Sequence, residues 1–132
     1  DNTDNPIEAG LGFAVKLDKK GGFIGRDALA AIKDRGTACN RMLQFLLQEP
    51  EPLLYGNELI YLNGDEVGYL QIGAYGHTLG AAVGIGFAST ERPLTAEIVD
   101  NGDWEIDIAG QRFKAQASLR PLYDPTMERI KC

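Results

Sequence analysis

The sequence predicts a mainly β chain, a small antiparallel β-barrel preceded by a short strand and one helix. Three observations carry that expectation. After Thr37, short apolar and alternating runs recur with turn residues between them. Asn-Gly occurs twice, at Asn63-Gly64 and Asn101-Gly102, and this dipeptide fits the positive backbone angles of a two-residue hairpin turn. Ahead of the strands, Ile24 to about Arg35 carries the 3.6-residue period of an amphipathic helix.

Taken in order, Asp1 to Gly12 mixes Asn, Asp, Pro and Gly and is expected to wander over a surface as a lead-in. Leu11, Phe13, Val15 and Leu17 alternate with Gly12, Ala14 and Lys16, the period of a half-buried strand. Lys19, Lys20, Gly21 and Gly22 form a charged turn. Ile24, Ala28, Leu29 and Ile32 then fall on one helical face. Gly36 sits where a left-handed residue ends a helix, and Lys33 and Arg35 place positive charge at its negative end. Arg41 to Gln48 is apolar enough for a buried strand, which Glu49-Pro50-Glu51-Pro52 must end because proline cannot donate to a ladder. Glu58 to Leu62 and Glu66 to Ile72 flank Asn63-Gly64 as a hairpin. Ala96 to Val99 and Trp104 to Ala109 flank Asn101-Gly102 as a second one. Ala109-Gly110 turns the chain into Arg112 to Leu119, where Phe113, Ala115, Ala117 and Leu119 share a face, so a three-stranded meander closes the domain. Six or seven such strands suggest a closed antiparallel barrel or a sandwich, since a barrel removes the edges that such strands would otherwise expose.

Composition bounds the function. A chain of 132 residues, 44% hydrophobic, fits one compact domain and not two independent cores. Acidic residues outnumber basic ones 19 to 13, and the net charge of -6 repels a phosphate backbone, so no nucleic-acid partner is expected. No apolar run reaches the roughly 20 residues of a membrane helix, and the first residues are acidic where a signal peptide is basic. The expectation is a soluble, cytoplasmic protein with no membrane contact. Two cysteines and one histidine make neither a metal-ligand spacing nor a disulfide framework, which points to a reducing compartment. The chain begins without methionine in a turn-rich segment and reads as a piece of something longer.

Few residues have the chemistry of a site. Gly68 to Gly86 holds six glycines, but no helix follows Gly84-Ile85-Gly86, so bends and close backbone approach in a barrel explain them better than a phosphate loop. His77, in the polar loop Ala74-Tyr75-Gly76-His77-Thr78, is either a general base or ligand-binding group or a histidine holding a turn. Cys39 reads as a small buried hydrophobe and Cys132 as tail. Glu49, Glu51, Asp65, Glu66, Asp100 and Asp103 lie in or beside turns and read as solvated. Lys19 and Lys20 either reach a carboxylate ligand or simply form a wet turn. Arg120 precedes Pro121-Leu122-Tyr123-Asp124-Pro125, a stiff segment that either holds the arginine in place or straps the tail across the barrel.

Three stretches together resemble the glycine-cleavage T-protein family, the tetrahydrofolate-dependent aminomethyltransferases. Asn5-Pro6-Ile7-Glu8-Ala9-Gly10-Leu11-Gly12-Phe13-Ala14-Val15, followed by Phe23-Ile24-Gly25-Arg26-Asp27-Ala28-Leu29, is similar to the end of the family's folate-binding domain. Tyr55-Gly56-Asn57-Glu58-Leu59, Val67-Gly68-Tyr69 and Tyr75-Gly76-His77-Thr78-Leu79-Gly80 resemble the first half of its C-terminal barrel. Arg120 to Pro125 is similar to the branch in which this module follows a flavin oxidase domain, as in sarcosine and dimethylglycine dehydrogenases. The resemblance implies residues 1–37 as the tail of the folate-binding domain and residues 38–132 as the barrel that closes over the folate cleft. It implies tetrahydrofolate for the parent module, FAD in an upstream domain, and folate and those upstream domains as partners. In such a parent the flavin domain oxidises an N-methyl amine and the folate module captures the one-carbon unit.

The family's catalytic aspartate and its main folate-gripping glutamate lie upstream of this sequence, and Glu8 belongs to a later motif. No catalytic residue carries over, and the isolated chain is expected to be silent. The binding positions that the resemblance offers are Phe13, where the family has Trp, Lys19 and Lys20 near its basic grip on the folate tail, Tyr75, His77, Arg120, and Tyr123 near a family tyrosine. Lysine there loses the bidentate geometry of arginine. From a different class, the alternative is a non-catalytic barrel that stabilises partner domains or an oligomer. A folate-dependent relative acting on RNA is disfavoured by the net charge.

Overall fold

The structure, a computed structural model, describes residues 3–129 and residue 131. Cys132, expected as tail, lies outside the described residues. Six strands, β1 (Asn40–Leu47), β2 (Leu59–Leu62), β3 (Asp65–Gly76), β4 (Ala81–Ser89), β5 (Trp104–Ile108) and β6 (Gln111–Ser118), form a closed antiparallel barrel in the order β1-β4-β3-β2-β5-β6. Closure comes from β6 returning to β1, with Gln44 opposite Ser118 and Leu47 opposite Ala115. Two α-helices, α1 (Arg26–Asp34) and α2 (Ala96–Asn101), and one 3-10 turn complete the regular structure of the described residues.

Alternation fills the interior. Leu43, Phe45 and Leu47 of β1 point inward, as do Ile60, Leu70, Trp104, Ile106, Ala115 and Ala117. The Phe45 and Trp104 rings meet edge-to-face at 5.6 Å, and Trp104 Nε1 donates to Val99 O at 3.0 Å, so the indole is buried with its polar atom satisfied. One end is covered by α2, which contributes Val99, with Leu94 just ahead of it. Nearer the β3–β4 turn, Leu54 packs against Gly73 and Gly84. The loop carrying Leu54 is held by Glu58, whose carboxylate accepts from Tyr55 N and Gly56 N at 2.8 Å each.

The glycine-rich stretch is barrel wall, as expected, and includes β4, a strand that the glycines hid. A Cβ on Gly86 would lie 2.5 Å from Tyr69 O, and one on Gly73 2.5 Å from the Leu54 carbonyl carbon. Small residues here let β3 and β4 cross close to other backbone. Asn63 (φ 53°) and Gly64 (φ 94°) form the expected hairpin turn, and Ala109 (φ 54°) with Gly110 (φ 86°) forms another.

Several expectations are corrected. Leu11 to Leu17 is not a strand: Gly12–Ala14 is one turn of 3-10 helix, with Leu11 N donating to Pro6 O and Ala14 N to Leu11 O. Local turns take up that backbone and no neighbouring strand pairs with it. Ala96 to Val99 is the first part of α2, because Thr95 caps it by accepting from Ile98 N at 3.3 Å. Asn101-Gly102 therefore ends a helix, Gly102 is extended (φ -67°, ψ 149°), and the closing meander is a two-stranded hairpin. Helix α1 starts after Gly25 (φ 86°), so Ile24 lies outside it and is fully exposed. Gly36 (φ 89°) follows the helix in the expected left-handed conformation. Cys39 is exposed; it sits at the mouth of β1, ahead of the first inward-facing position.

The lead-in is tied to the barrel. Asn5 Oδ1 accepts from Ile7 N and Glu8 N, Met42 N donates to Glu8 O at 2.9 Å, and Asn40 Nδ2 donates to Glu8 Oε2 at 3.2 Å. Helix α1 joins the lead-in through Arg26 Nε, which donates to Leu17 O at 2.8 Å, and buries none of its own residues.

Two predictions follow from this packing. Gly86→Ala should cost about 3 kcal/mol of stability, since its new methyl meets backbone, whereas Gly110→Ala, with open space but positive φ, should cost about 1 kcal/mol. Urea unfolding compares the two, and equal midpoints would contradict the close-approach account. On the outer face of β5 and β6, the hydrogen bonds that the Lys114 ammonium donates to Asp103 and then to Glu105 raise its pKa above the ordinary 10.5. A raised lysine pKa stabilises the fold below the ordinary value and loses that contribution as pH rises through the folded value. Lys114→Gln should therefore lower the urea midpoint at neutral pH and converge on the parent chain in strong alkali; a constant gap would contradict it.

Candidate functional site

A barrel whose interior is packed with Phe45, Trp104, Leu70 and their neighbours leaves ligand chemistry to the outside. Three clefts there bear on function. The first lies between the lead-in, α1 and the start of β1; it encloses about 440 Å³ and is lined by Ile7, Gly10, Gly12, Phe13, Val15, Leu17, Lys33 and Arg41. A second, of about 290 Å³, is an apolar groove on the outer face of β1, β4 and β3, where Gln44, Ile72, Ala74, Val83 and Ile85 meet Leu122 and Tyr123 of the tail. The third, about 530 Å³, lies near the β2–β3 turn and is mixed, with Asp65, Glu66, Glu91 and Arg92 beside Leu62, Val67 and Ile98 in its lining.

Strand phase explains the first two. On β1, Leu43, Phe45 and Leu47 face inward, so Gln44 faces out into the groove, while Arg41 shares the inward phase at the strand's open end. Arg41 is half-buried, and its Nη1 donates to Leu94 O at 3.3 Å. Gln44 Oε1 accepts from Leu122 N at 3.2 Å, which lays the tail across the groove. Asp124 then accepts from Glu128 N and Arg129 N, and the Arg129 guanidinium lies 5.8 Å from the Tyr123 ring centre.

The residues singled out by sequence are dispersed. Phe13 is 89% exposed and lines the first cleft. Lys19 and Lys20 are exposed in the turn beyond Leu17 and are not in that lining. Tyr75 and His77 do come together at the β3–β4 turn: their rings are 5.2 Å apart, and Tyr75 Oη donates to Gly80 O at 2.9 Å, which organises the turn. Tyr123 walls the groove, and Arg120 is exposed beside it in sequence, its backbone N donating to Ser118 Oγ. The strap reading of the tail holds. Sequence reasoning missed Lys33 and Arg41 as cleft residues; a charged residue at an inward position of an apolar strand was the available signal for Arg41.

Among the described residues no group of His, Cys, Asp and Glu could hold a metal ion, and no helix is long and apolar enough to cross a membrane. Residues 40–124 match the model of the glycine cleavage T-protein C-terminal barrel domain. The chain belongs to that family. It is 40% identical over 128 residues to 4-methylaminobutanoate oxidase (formaldehyde-forming) of Paenarthrobacter nicotinovorans, covering 97% of this chain and 15% of the relative. It is 34% identical over 130 residues to mitochondrial sarcosine dehydrogenase of Mus musculus, covering 97% and 14%. Identity is 37% over 128 residues to the mitochondrial pyruvate dehydrogenase phosphatase regulatory subunit of the same organism, covering 89% and 14%. The chain thus spans about one seventh of the length of these relatives. Among solved structures, aminomethyltransferase T of the glycine cleavage system from Bartonella henselae superposes with a TM-score of 0.69 over 86% of this chain and 30% of that one; at 19% identity the likeness is one of fold. The T-protein barrel expected from sequence is the fold observed.

The tail strap yields a prediction. Gln44→Ala removes the acceptor for Leu122 N, so the Leu122 amide should exchange with solvent faster while the inward strand amides keep their protection. Unchanged exchange at Leu122 would show that the groove contacts of Tyr123 alone hold the strap.

Proposed function

We propose that the chain is the rear part of a tetrahydrofolate-dependent aminomethyltransferase module. In a longer parent protein it would help to enclose folate while a one-carbon unit is captured from an N-methyl amine of sarcosine or dimethylglycine type, or from an aminomethyl donor. The observation that carries this reading is the family match over residues 40–124. Residues 1–37 are, in this reading, the tail of the folate-binding domain, and 38–132 the barrel domain. The parent is then an aminomethyltransferase or an FAD-dependent oxidoreductase, acting in the cytoplasmic, reducing setting expected from sequence.

The residues present fit a folate better than a flavin. The cleft beside Phe13 offers apolar walls and two cations, suited to a flat ring system bearing carboxylates. Gly84-Ile85-Gly86, in contrast, lies within β4 and opens no helix, so the proposal places FAD in an upstream domain. Tetrahydrofolate supplies the amine nitrogens that accept the one-carbon unit. This chain's own share is positioning: Phe13 offers a face for stacking without a ring donor, Lys19 and Lys20 bring positive charge toward the acidic tail, and Tyr75, His77, Arg120 and Tyr123 contribute contacts from the barrel side. Barrel and lead-in together exclude water, which would otherwise hydrolyse a reactive iminium to formaldehyde. With no catalytic residue assigned, the isolated chain is silent.

A second reading, a non-catalytic barrel that stabilises partner domains or an oligomer, is favoured by two observations. The barrel interior is filled, and one relative is named as a regulatory subunit.

Calorimetric titration with folinic acid separates the two. The first reading predicts saturable binding, weakened about three- to tenfold by Phe13→Ala, and no one-carbon transfer from an amine donor above the buffer rate. Absence of binding at millimolar ligand would favour the scaffold reading, and transfer above the buffer rate would contradict the assigned silence.

A further inference from the structure

We propose that the apolar groove on the outer face of β1, β4 and β3 is a peptide-docking site, and that the chain's own tail is the strap that keeps it closed. The partner that fits is an extended peptide segment carrying an aliphatic residue followed by an aromatic one. The inference does not rest on the folate reading.

The composition of the wall is the first argument. In a chain that is 24% charged, no Asp, Glu, Lys or Arg occurs from Val67 to Thr90 or from Met42 to Gln48. An antiparallel strand with one solvated face alternates apolar and polar residues, whereas β4 is apolar on both faces, with Ala82 and Ala88 buried inward and Val83, Ile85 and Phe87 turned outward. Ile85 has Gln44 and Ile72 as its cross-strand neighbours. With the tail in place Ile72 is still 59% exposed and Ile85 37%. On the far side of the barrel the outer face is charged and satisfied by its own ion pairs, Arg112 with Glu105 and Lys114 with Glu105 and Asp103. An exposed sheet face without charge is a surface that another chain segment covers.

The structure also shows what kind of segment that is, because it seats one there. Leu122 and Tyr123 wall the groove, Gln44 Oε1 accepts from Leu122 N at 3.2 Å, and about 290 Å³ remains beside them. The Gln44 carboxamide can read a whole peptide unit: Oε1 takes the N–H, and Nε2, which has no partner among the described residues, keeps two hydrogens for a peptide carbonyl. A carboxamide set among apolar side chains fixes the backbone of an extended segment while the walls receive its side chains.

Separability is the third argument. The buried core runs from Leu43 to Ala117, with Leu119 packed against it, and no residue from 120 to 129 belongs to it. The barrel closes through the pairing of β6 with β1, before the tail begins. The tail builds its own turn: Met127 N donates to Asp124 O, and the Asp124 carboxylate accepts from Glu128 N and Arg129 N. Tyr123 is 46% exposed even when docked. A segment outside the core, organised by its own bonds and joined to the wall through a side-chain acceptor, opens at lower free energy than the barrel does. A tethered segment has an effective concentration on the order of millimolar, so a strap that stays docked implies an affinity in trans tighter than about 1 mM.

Calorimetric titration with a synthetic peptide of residues 119–127 tests this on the full-length chain. Leu122→Ala combined with Tyr123→Ala empties the groove and leaves every core residue in place. The peptide should bind this double variant with a Kd below about 1 mM, about tenfold tighter than it binds the unmodified chain, whose groove is occupied. Bound peptide should shift the backbone amides of Ile72, Val83 and Ile85. Adding Gln44→Ala should weaken binding about three- to tenfold, and a peptide with alanine in place of its own Leu122 and Tyr123 should lose at least about tenfold. The urea midpoint of the double variant should stay close to that of the unmodified chain. Absence of binding to the double variant at millimolar peptide would overturn the docking site. Equal binding to both chains would overturn closure by the tail. A double variant that fails to fold, or whose midpoint falls as far as that of Leu43→Ala, would make the tail a fixed part of the fold and overturn the inference.

Discussion

The close approach of β3 and β4 is the constraint on which the rest of the fold depends. At Gly68 a Cβ would fall 2.0 Å from Phe87 O, at Gly86 2.5 Å from Tyr69 O, and at Gly84 2.7 Å from Leu70 Cδ1. With no side chains at these points, Leu70 reaches the barrel axis, Leu54 folds down onto Gly73, and the ring of six strands is tight enough for β6 to return to β1. Larger residues would push β3 off β4 and open the ring, exposing Phe45 and Trp104.

Tight closure determines where function can sit. The interior is consumed by packing, and the two ends are covered by α2 with Leu94 and by the loop that Glu58 pins. What remains is the outside, where two chain segments lie against the barrel wall: the lead-in, stitched on through Glu8, and the tail, stitched on through Gln44. Each encloses a cleft against the sheet, one with cations and an exposed aromatic, one nearly all apolar. A barrel of this kind contributes walls and positioning, the share that the proposed function gives it. The exposed Phe13 and Ile24 and the unburied helix α1 belong to a lead-in that the barrel alone does not cover.

Legibility in the sequence followed the range of the interactions. Asn63-Gly64 specifies its turn within two residues and was readable, as was the inward alternation of Phe113, Ala115 and Ala117. Where two local signals competed, the weaker-looking one won: Asn101-Gly102 read as a hairpin, but the Thr95 cap three residues ahead of Ile98 nucleates α2. The alternation of Leu11 to Leu17 misled because a strand needs a hydrogen-bonded partner, and no strand of the barrel pairs with the lead-in there. β4 was obscured because its glycines answer to contacts with β3 that sequence does not display. The candidate site was the least legible. Phe13 was singled out through resemblance, whereas Lys33 looked like a helix-end charge and Arg41 like the first residue of a strand, and contacts distant in sequence, Met42 N to Glu8 O and Arg26 Nε to Leu17 O, bring them to one cleft.

The measurement that bears most directly on this account is the mapping of backbone amide shifts in the isotope-labelled chain as folinic acid is added. If ligand chemistry lies outside a filled barrel, shifts should cluster at Ile7 to Leu17, Lys33 and Arg41, with Phe45, Leu70, Ile106 and Trp104 unmoved. Shifts centred on those interior residues, with the lead-in silent, would contradict it.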